Sequence, residues 1–255
     1  MKLIDAAKGA IKNFGYHQLG KCNVCGNLTV FVCIDSQTAR NNMYCPFCRS
    51  SSRKRHVAKV LINELGKSVS SIADIPKKQQ LSIYNTDVND AFYKVLHNYD
   101  SFTCSTFSPE TKPGTEIKKN VFCQDLENLT FENETFDVVT TEDVFEHVRH
   151  HEKGFGEVHR ILKLGGYHIF TVPCNFDQTT IVRVDTSGEK DIHLLPPEYH
   201  GDKIRGQILA YRTFGIDIFD LLTSIGFQTT VNFSSYIDSY MGIFDSYVFC
   251  SQKVS

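Results

Sequence analysis

Apolar and polar positions alternate in a recognisable grammar between residues 125 and 173. Val138 and Val139 form a short apolar run between polar flanks, which predicts a buried strand over Phe136–Thr140. His151 to Leu164 follows helical spacing and stops at Gly165-Gly166, and the apolar run Tyr167–Val172 predicts the next strand. Strand, helix, glycine stop, strand is the pattern of a parallel α/β sheet. Upstream, the same rhythm predicts strands over Leu81–Asn85, Ser101–Ser105 and Val121–Gln124, a helix over Ala91–Leu96, and a loop through 108–120. Downstream it predicts a helix over Ile216–Ile225 closed by Gly226. Two last strands, Phe227–Phe233 and Ser246–Ser251, have a connection long enough for an antiparallel hairpin. Residues 174–212 break the rhythm, and insertions of that length are functional or unstructured.

The first 65 residues read differently. Ile4, Ala7 and Ile11 share one face of a short helix within residues 1–20, Leu28–Ile34 is a strand, and Val57, Val60, Leu61 and Leu65 make a second helical stripe. Five of the nine cysteines lie in the first 50 residues, and four of them form two Cys-x-x-Cys pairs, Cys22/Cys25 and Cys45/Cys48, 19 residues apart. Each pair makes a knuckle, and two knuckles can present four thiolates to one tetrahedral ion. Gly26 allows the tight turn behind the first knuckle. So small a unit lacks the core to fold alone, and metal binding would contribute on the order of 10–16 kcal/mol. Structural zinc is the expectation, and a single iron suits the same donors. Cys33, mid-strand, reads as core. The chain thus divides into 1–56, a zinc ribbon with an N-terminal helix, and 57–255, an α/β domain with an insertion at 174–212.

Length and composition fit one sizeable domain plus a small one: 255 residues, 41% hydrophobic. No apolar run approaches the ~20 residues of a membrane span, and the N-terminus lacks the apolar core of a signal peptide. A soluble cytoplasmic protein is the expectation. The net charge of −2 hides an asymmetry, for residues 1–60 carry ten Lys or Arg against Asp5 and Asp35. A basic head on an acidic body either meets an anionic partner or docks on the body. The run Arg49 to His56 reads either as a phosphate- or acid-binding patch or, favoured, as the N-cap and solvated first turn of a helix capped by Ser51 or Ser52.

Asp125-Leu126, Phe136-Asp137-Val138-Val139, Val144-Phe145-Glu146-His147-Val148 and Glu157-Val158-His159-Arg160-Ile161-Leu162-Lys163-Leu164-Gly165-Gly166 together resemble the class I S-adenosylmethionine-dependent methyltransferases, type 11-like. Pro197-Glu198-Tyr199-His200-Gly201-Asp202 and the later Phe214-Gly215-Ile216-Asp217 resemble one subgroup's insertion and last helix. The resemblance covers residues 81–255 and, more loosely, the ribbon. It implies a Rossmann-like α/β fold with a seven-stranded sheet and S-adenosylmethionine as cofactor. It places adenine near Asp125 and Leu126, and the methionine end near Glu142 and Asp143. Two departures stand out. The loop after strand one, where the family carries glycines, reads Asn85-Thr86-Asp87-Val88-Asn89-Asp90. At the end of strand two Thr106 stands where the family carries an acid for the ribose, and Asp87 is the candidate substitute.

In methyl transfer the cofactor carries the reactivity and the protein positions it. A base is needed when the acceptor loses a proton. His147 and His200 are the candidates, with Tyr199 as a closing aromatic. The expected activity is methyl transfer to a hydroxyl or carboxyl of a small-molecule or glycan acceptor. The competing expectations are a non-catalytic relative that lost the cofactor, and an RNA- or protein-modifying enzyme led by the basic ribbon. Nucleic acid is the less favoured partner.

Overall fold

The computed structural model describes residues 3–65, 68–202, 206–234 and 237–255. Helix α1 (Leu3–Lys12) leads into a hairpin of β1 (Gln18–Lys21) and β2 (Leu28–Phe31). The amphipathic face read for α1 is not used as such, since Ile4 and Ile11 are both exposed. Helix α2 (Ser52–Glu64) follows, capped by the Ser51 hydroxyl, which accepts from the Lys54 amide. Its first turn is not solvated, however. Lys54, Arg55 and His56 are all buried.

The sheet is built from β3 (Ile83–Asn85), β4 (Phe102–Thr106), β5 (Glu116–Lys118), β6 (Val121–Cys123), β7 (Phe136–Glu142), β8 (Leu162–Thr171), and two late strands, β11 (Phe227–Phe233) and β12 (Tyr247–Lys253). Between them, in the insertion, lies a hairpin of β9 (Tyr199–Asp202) and β10 (Gly206–Leu209). The helices are α3 (Ala91–Leu96), α4 (His151–Ile161) and α5 (Ile218–Ile225). The sheet order is β11-β12-β8-β7-β3-β4-β6-β5. Strands β6, β4, β3, β7 and β8 are parallel, and β12 and β11 close one edge antiparallel.

This sheet has eight strands, not the seven expected. The extra one is β5, which pairs antiparallel with β6 at the far edge. All three of its residues are exposed, so it carries no apolar alternation and lies unseen within the predicted loop 108–120. Helix α4 also ends three residues before Leu164. Leu162 already pairs with Phe136, and Gly165, at φ +78°, lets β8 continue through a register shift.

Both sheet faces are covered. One cluster joins Ile83, Phe92 and Val138 to Val57, Leu61, Phe31 and Cys45, so the N-terminal hairpin and the sheet share a single core. The other joins Tyr84, Val139, Phe155, Phe170, Leu222 and Phe249. Arg55 fastens the first cluster. It is fully buried, stacks 4.0 Å over the Phe31 ring, and donates to the carbonyls of Met43, Ser50, Met241 and Gly242. No helix among the described residues is long and apolar enough to cross a membrane.

Candidate active site at the sheet switch point

Strand order reverses between β3 and β7, and a parallel sheet binds its ligands outside the carboxyl ends at such a point. A cavity of about 1230 Å³ opens there. It is lined by the loop Asn85–Asp90, by Glu142 and Val144, and on the other side by Arg53, Lys54 and the second cysteine knuckle. Of the residues expected to hold the cofactor, Asn85, Asp87 and Glu142 line it. Thr106, Asp125, Leu126 and Asp143 do not.

Asn85 is almost wholly buried, and its amide donates to the Asp87 carbonyl while its oxygen accepts from Thr140. That side chain braces the glycine-free loop from beneath. Asp87 is exposed and accepts from the Asn89 amide. Thr106 is half-buried at the end of β4, and its carbonyl accepts from Gln124. Asp125 caps the turn that follows, accepting from the Glu127 amide, with Leu126 half-buried beside it.

Glu142 and Asp143 are engaged by side chains the sequence did not connect to them. Lys54 bridges Glu142 and Asp90, and Arg53 reaches both Asp143 and Glu142, the latter at 3.4 Å. Arg40 adds a contact to Asp143 at 3.5 Å. The basic run therefore docks on the acidic body through the face where ligands bind. Burial opposes the Lys54 charge, but Asp90 and Glu142 more than offset it and hold its pKa above the usual value. Burial lowers that of Arg53, against Glu142. Asp143 sits at φ +50°, an uncommon conformation for a non-glycine residue, held by its amide to the Thr171 carbonyl and by the Thr171 hydroxyl at 2.7 Å. Glu142 is thus taken up on both oxygens, Oε1 by Lys54 and Oε2 by Arg53 Nε.

One turn further on, a short 3-10 helix (Phe145–His147) presents His147. The insertion folds over it. Buried Arg212 donates to the carbonyls of Phe145, Val148 and Arg149, and the Tyr211 amide donates to the Glu146 carbonyl. Strand β9 brings His200 to within 4.9 Å of His147, ring to ring. The two candidates named separately from sequence thus meet, with fully buried Glu146 between them. Glu146, with Glu198, pushes the His200 imidazole up to about 9. Tyr199 is exposed on the same strand. Glu146, Arg53, Lys54 and Asp90 were missed. The first stands beside a chosen histidine, Arg53 and Lys54 lie in the basic run read in favour of a solvated turn, and Asp90 ends the glycine-free loop.

Sγ atoms of Cys22, Cys25, Cys45 and Cys48 lie within 4.8 Å of one another, with Cys22 and Cys48 at 3.6 Å and Cys25 and Cys45 at 3.8 Å. A disulfide needs about 2.05 Å. Four thiolates on one tetrahedral ion at about 2.3 Å stand about 3.8 Å apart. The knuckles match: the Gly26 amide donates to the Cys22 carbonyl and the Arg49 amide to the Cys45 carbonyl, with Gly26 at φ +82° and Arg49 at φ +64°.

Residues 68–170 match the family model described as a methyltransferase domain. The match covers less than half of the chain. No curated protein sequence matches the chain. Among solved structures it is similar to an S-adenosylmethionine-dependent methyltransferase from Mesorhizobium loti, 14% identical, TM-score 0.49, over 81% of this chain and 99% of that one. It is also similar to an amino pentose methyltransferase from Micromonospora echinaspora, 10% identical, TM-score 0.47, over 81% and 93%. A possible histamine N-methyltransferase from Thermotoga maritima is 17% identical, TM-score 0.40, over 78% and 99%.

Proposed function

We propose that this chain is an S-adenosylmethionine-dependent methyltransferase acting on a hydroxyl or carboxyl of a small or carbohydrate-type acceptor. The observation that carries the reading is the cavity at the switch point, walled by paired opposite charges. The cofactor's methionine end is a zwitterion, and this wall suits it. Arg53 and Lys54 would hold its carboxylate, and Glu142 or Asp90 its ammonium. Asp125 and Leu126 would hold adenine, with Thr106 and Asp87 toward the ribose. When bound, the cofactor supplies an electrophilic methyl group.

His147 and His200 face the acceptor side, under the insertion, where the acceptor's proton must be handled. A small acceptor is favoured over nucleic acid because the basic run is engaged inside the protein, and an internal ion pair offers no cation to a phosphate chain. The cysteine cluster is proposed as a structural zinc site, on the fit of its Sγ spacing to tetrahedral thiolate coordination. Residues 1–56 form its ribbon and 57–255 the methyltransferase-like domain.

A second reading, a relative that no longer binds the cofactor, is favoured by the glycine-free loop and by the engagement of Glu142 and Asp143 with Arg53, Lys54 and Arg40. Calorimetric titration with S-adenosylmethionine decides between them. Binding is expected, with stability rising by about 4 kcal/mol at a thousandfold excess over the dissociation constant. No heat and no stabilisation at millimolar cofactor would establish the second reading.

A further inference from the structure

Glu146 is fully buried, and neither of its carboxylate oxygens has a hydrogen-bond partner. Two imidazole nitrogens stand near it. His147 Nε2 and His200 Nδ1 each stand 3.7 Å from Glu146 Oε1. That is too long for a hydrogen bond. It is close to the separation of two donors on one ion, about 3.4 Å for bonds of about 2.1 Å in a tetrahedral arrangement.

The outer partners fix which nitrogens face inward. His147 Nδ1 is 2.8 Å from the Leu209 carbonyl, an oxygen that can only accept, so Nδ1 carries hydrogen and Nε2 keeps its lone pair. His200 Nε2 is 3.0 Å from Glu198 Oε1, again an acceptor, so Nδ1 is the nitrogen turned to Glu146, and a cation would bind there by displacing the Nδ1 proton. Glu198 is held in turn by Arg183 at 2.5 Å. An imidazole whose far nitrogen is tied to a carbonyl or carboxylate is the usual outer arrangement of a metal-ligating histidine. The backbone is fastened as well, by Arg212 on the turn and by the Tyr211 amide on Glu146.

We propose that Glu146, His147 and His200 bind a divalent first-row cation through one carboxylate oxygen and two imidazole nitrogens. Their donor atoms lie within 4.8 Å of one another. The site is separate from the cysteine cluster and chemically unlike it, since two nitrogens and an oxygen accept Mn2+, Fe2+, Co2+ or Zn2+ where four thiolates select zinc or iron. Three protein donors leave positions for an outside oxygen ligand. The site stands on its own geometry, whereas its role rests on the methyltransferase reading. There, the outside ligand is the acceptor hydroxyl. Coordination weakens its O–H bond and the proton leaves to water. The oxygen lone pair forms the new C–O bond as the methyl's bond to the sulfonium sulfur breaks.

The test is a metal count on the full-length chain with its cysteines loaded with zinc. Wild-type protein is expected to take up one further equivalent of Mn2+, followed by electron paramagnetic resonance, or of Zn2+, followed by elemental analysis. Glu146→Gln and His200→Ala should weaken that uptake at least tenfold and leave the thiolate-bound zinc in place. If Glu146→Gln fails to fold, His200→Ala, on the half-exposed hairpin, carries the comparison. Wild-type protein that takes neither ion beyond the first zinc overturns the proposal and leaves a Glu146–His200 ion pair only; so does uptake that His200→Ala does not change. The count is independent of the cofactor. A second ion without S-adenosylmethionine binding would therefore remove the methyltransferase role and keep the site.

Discussion

His168 shows how one side chain's surroundings become a property of the whole protein. It lies fully buried in β8, with Nε2 3.0 Å from the Thr141 hydroxyl. Burial pushes its pKa down to about 3. The unfolded chain binds a proton here below about pH 6.5, and the folded chain does not, so the stability His168 contributes is complete above that pH and is lost as pH falls towards 3. At pH 5 the loss is about 2 kcal/mol. His168→Gln can keep a bond to Thr141 and cannot be charged. Urea unfolding at pH 8 and pH 5 should therefore show a pH slope shallower by about that amount in the variant. An unchanged slope would mean that the ring is protonated in the folded protein. The sequence offered His168 only as a polar letter in the apolar run Tyr167–Val172. Its ring stacking on Phe170, 4.4 Å between centroids, depends on partners no periodicity names.

At the scale of elements, helix α2 departs most from its reading. Ser51 as cap was legible, because capping is local. The fate of the next turn was not, because it depends on carboxylates 36 to 90 residues away in sequence. Strand positions and the glycine stop of α5 were readable for the same reason that Ser51 was, and the exposed edge strand β5 was not. Lys54 marks the consequence. Its removal strands two carboxylates, Asp90 and Glu142, at sites where their side chains are about nine-tenths covered. Breaking a buried pair from one side costs about 3–5 kcal/mol. Lys54→Ala should lose that much in chemical denaturation at neutral pH, and a loss below about 1 kcal/mol would show that water reaches the pair. Of the candidate site, the sequence named both histidines and Glu142. It could not show that Glu146 joins the first two, or that Arg53 and Lys54 meet the third.

For the whole molecule, the N-terminal cysteine hairpin and the sheet are continuous in core, with Cys45 and Phe31 in one cluster with Ile83 and Val138. A separate unit over residues 1–56 would confine the effect of Cys45→Ser to that unit. The shared core changes that expectation. Loss of one thiolate should release the metal and lower the single unfolding transition of the entire chain. Calorimetry with zinc release followed in parallel would check it. Two separate transitions, with the upper one unshifted, would restore the modular view.

Arg55 also bears on when the fold can be completed. Two of its carbonyl partners, on Met241 and Gly242, lie 186 and 187 residues further along the chain, and the Lys21 amide waits for the Tyr240 carbonyl. Closing such long loops comes late in folding, because their entropy is lost before any contact compensates for it. On the ribosome, the cysteine hairpin is made first and its neighbours last. Four thiolates and a buried guanidinium must therefore pass through most of synthesis without their final surroundings. An ion bound early at the cysteines would hold the hairpin's shape through that interval, as a template on which the end of the chain closes.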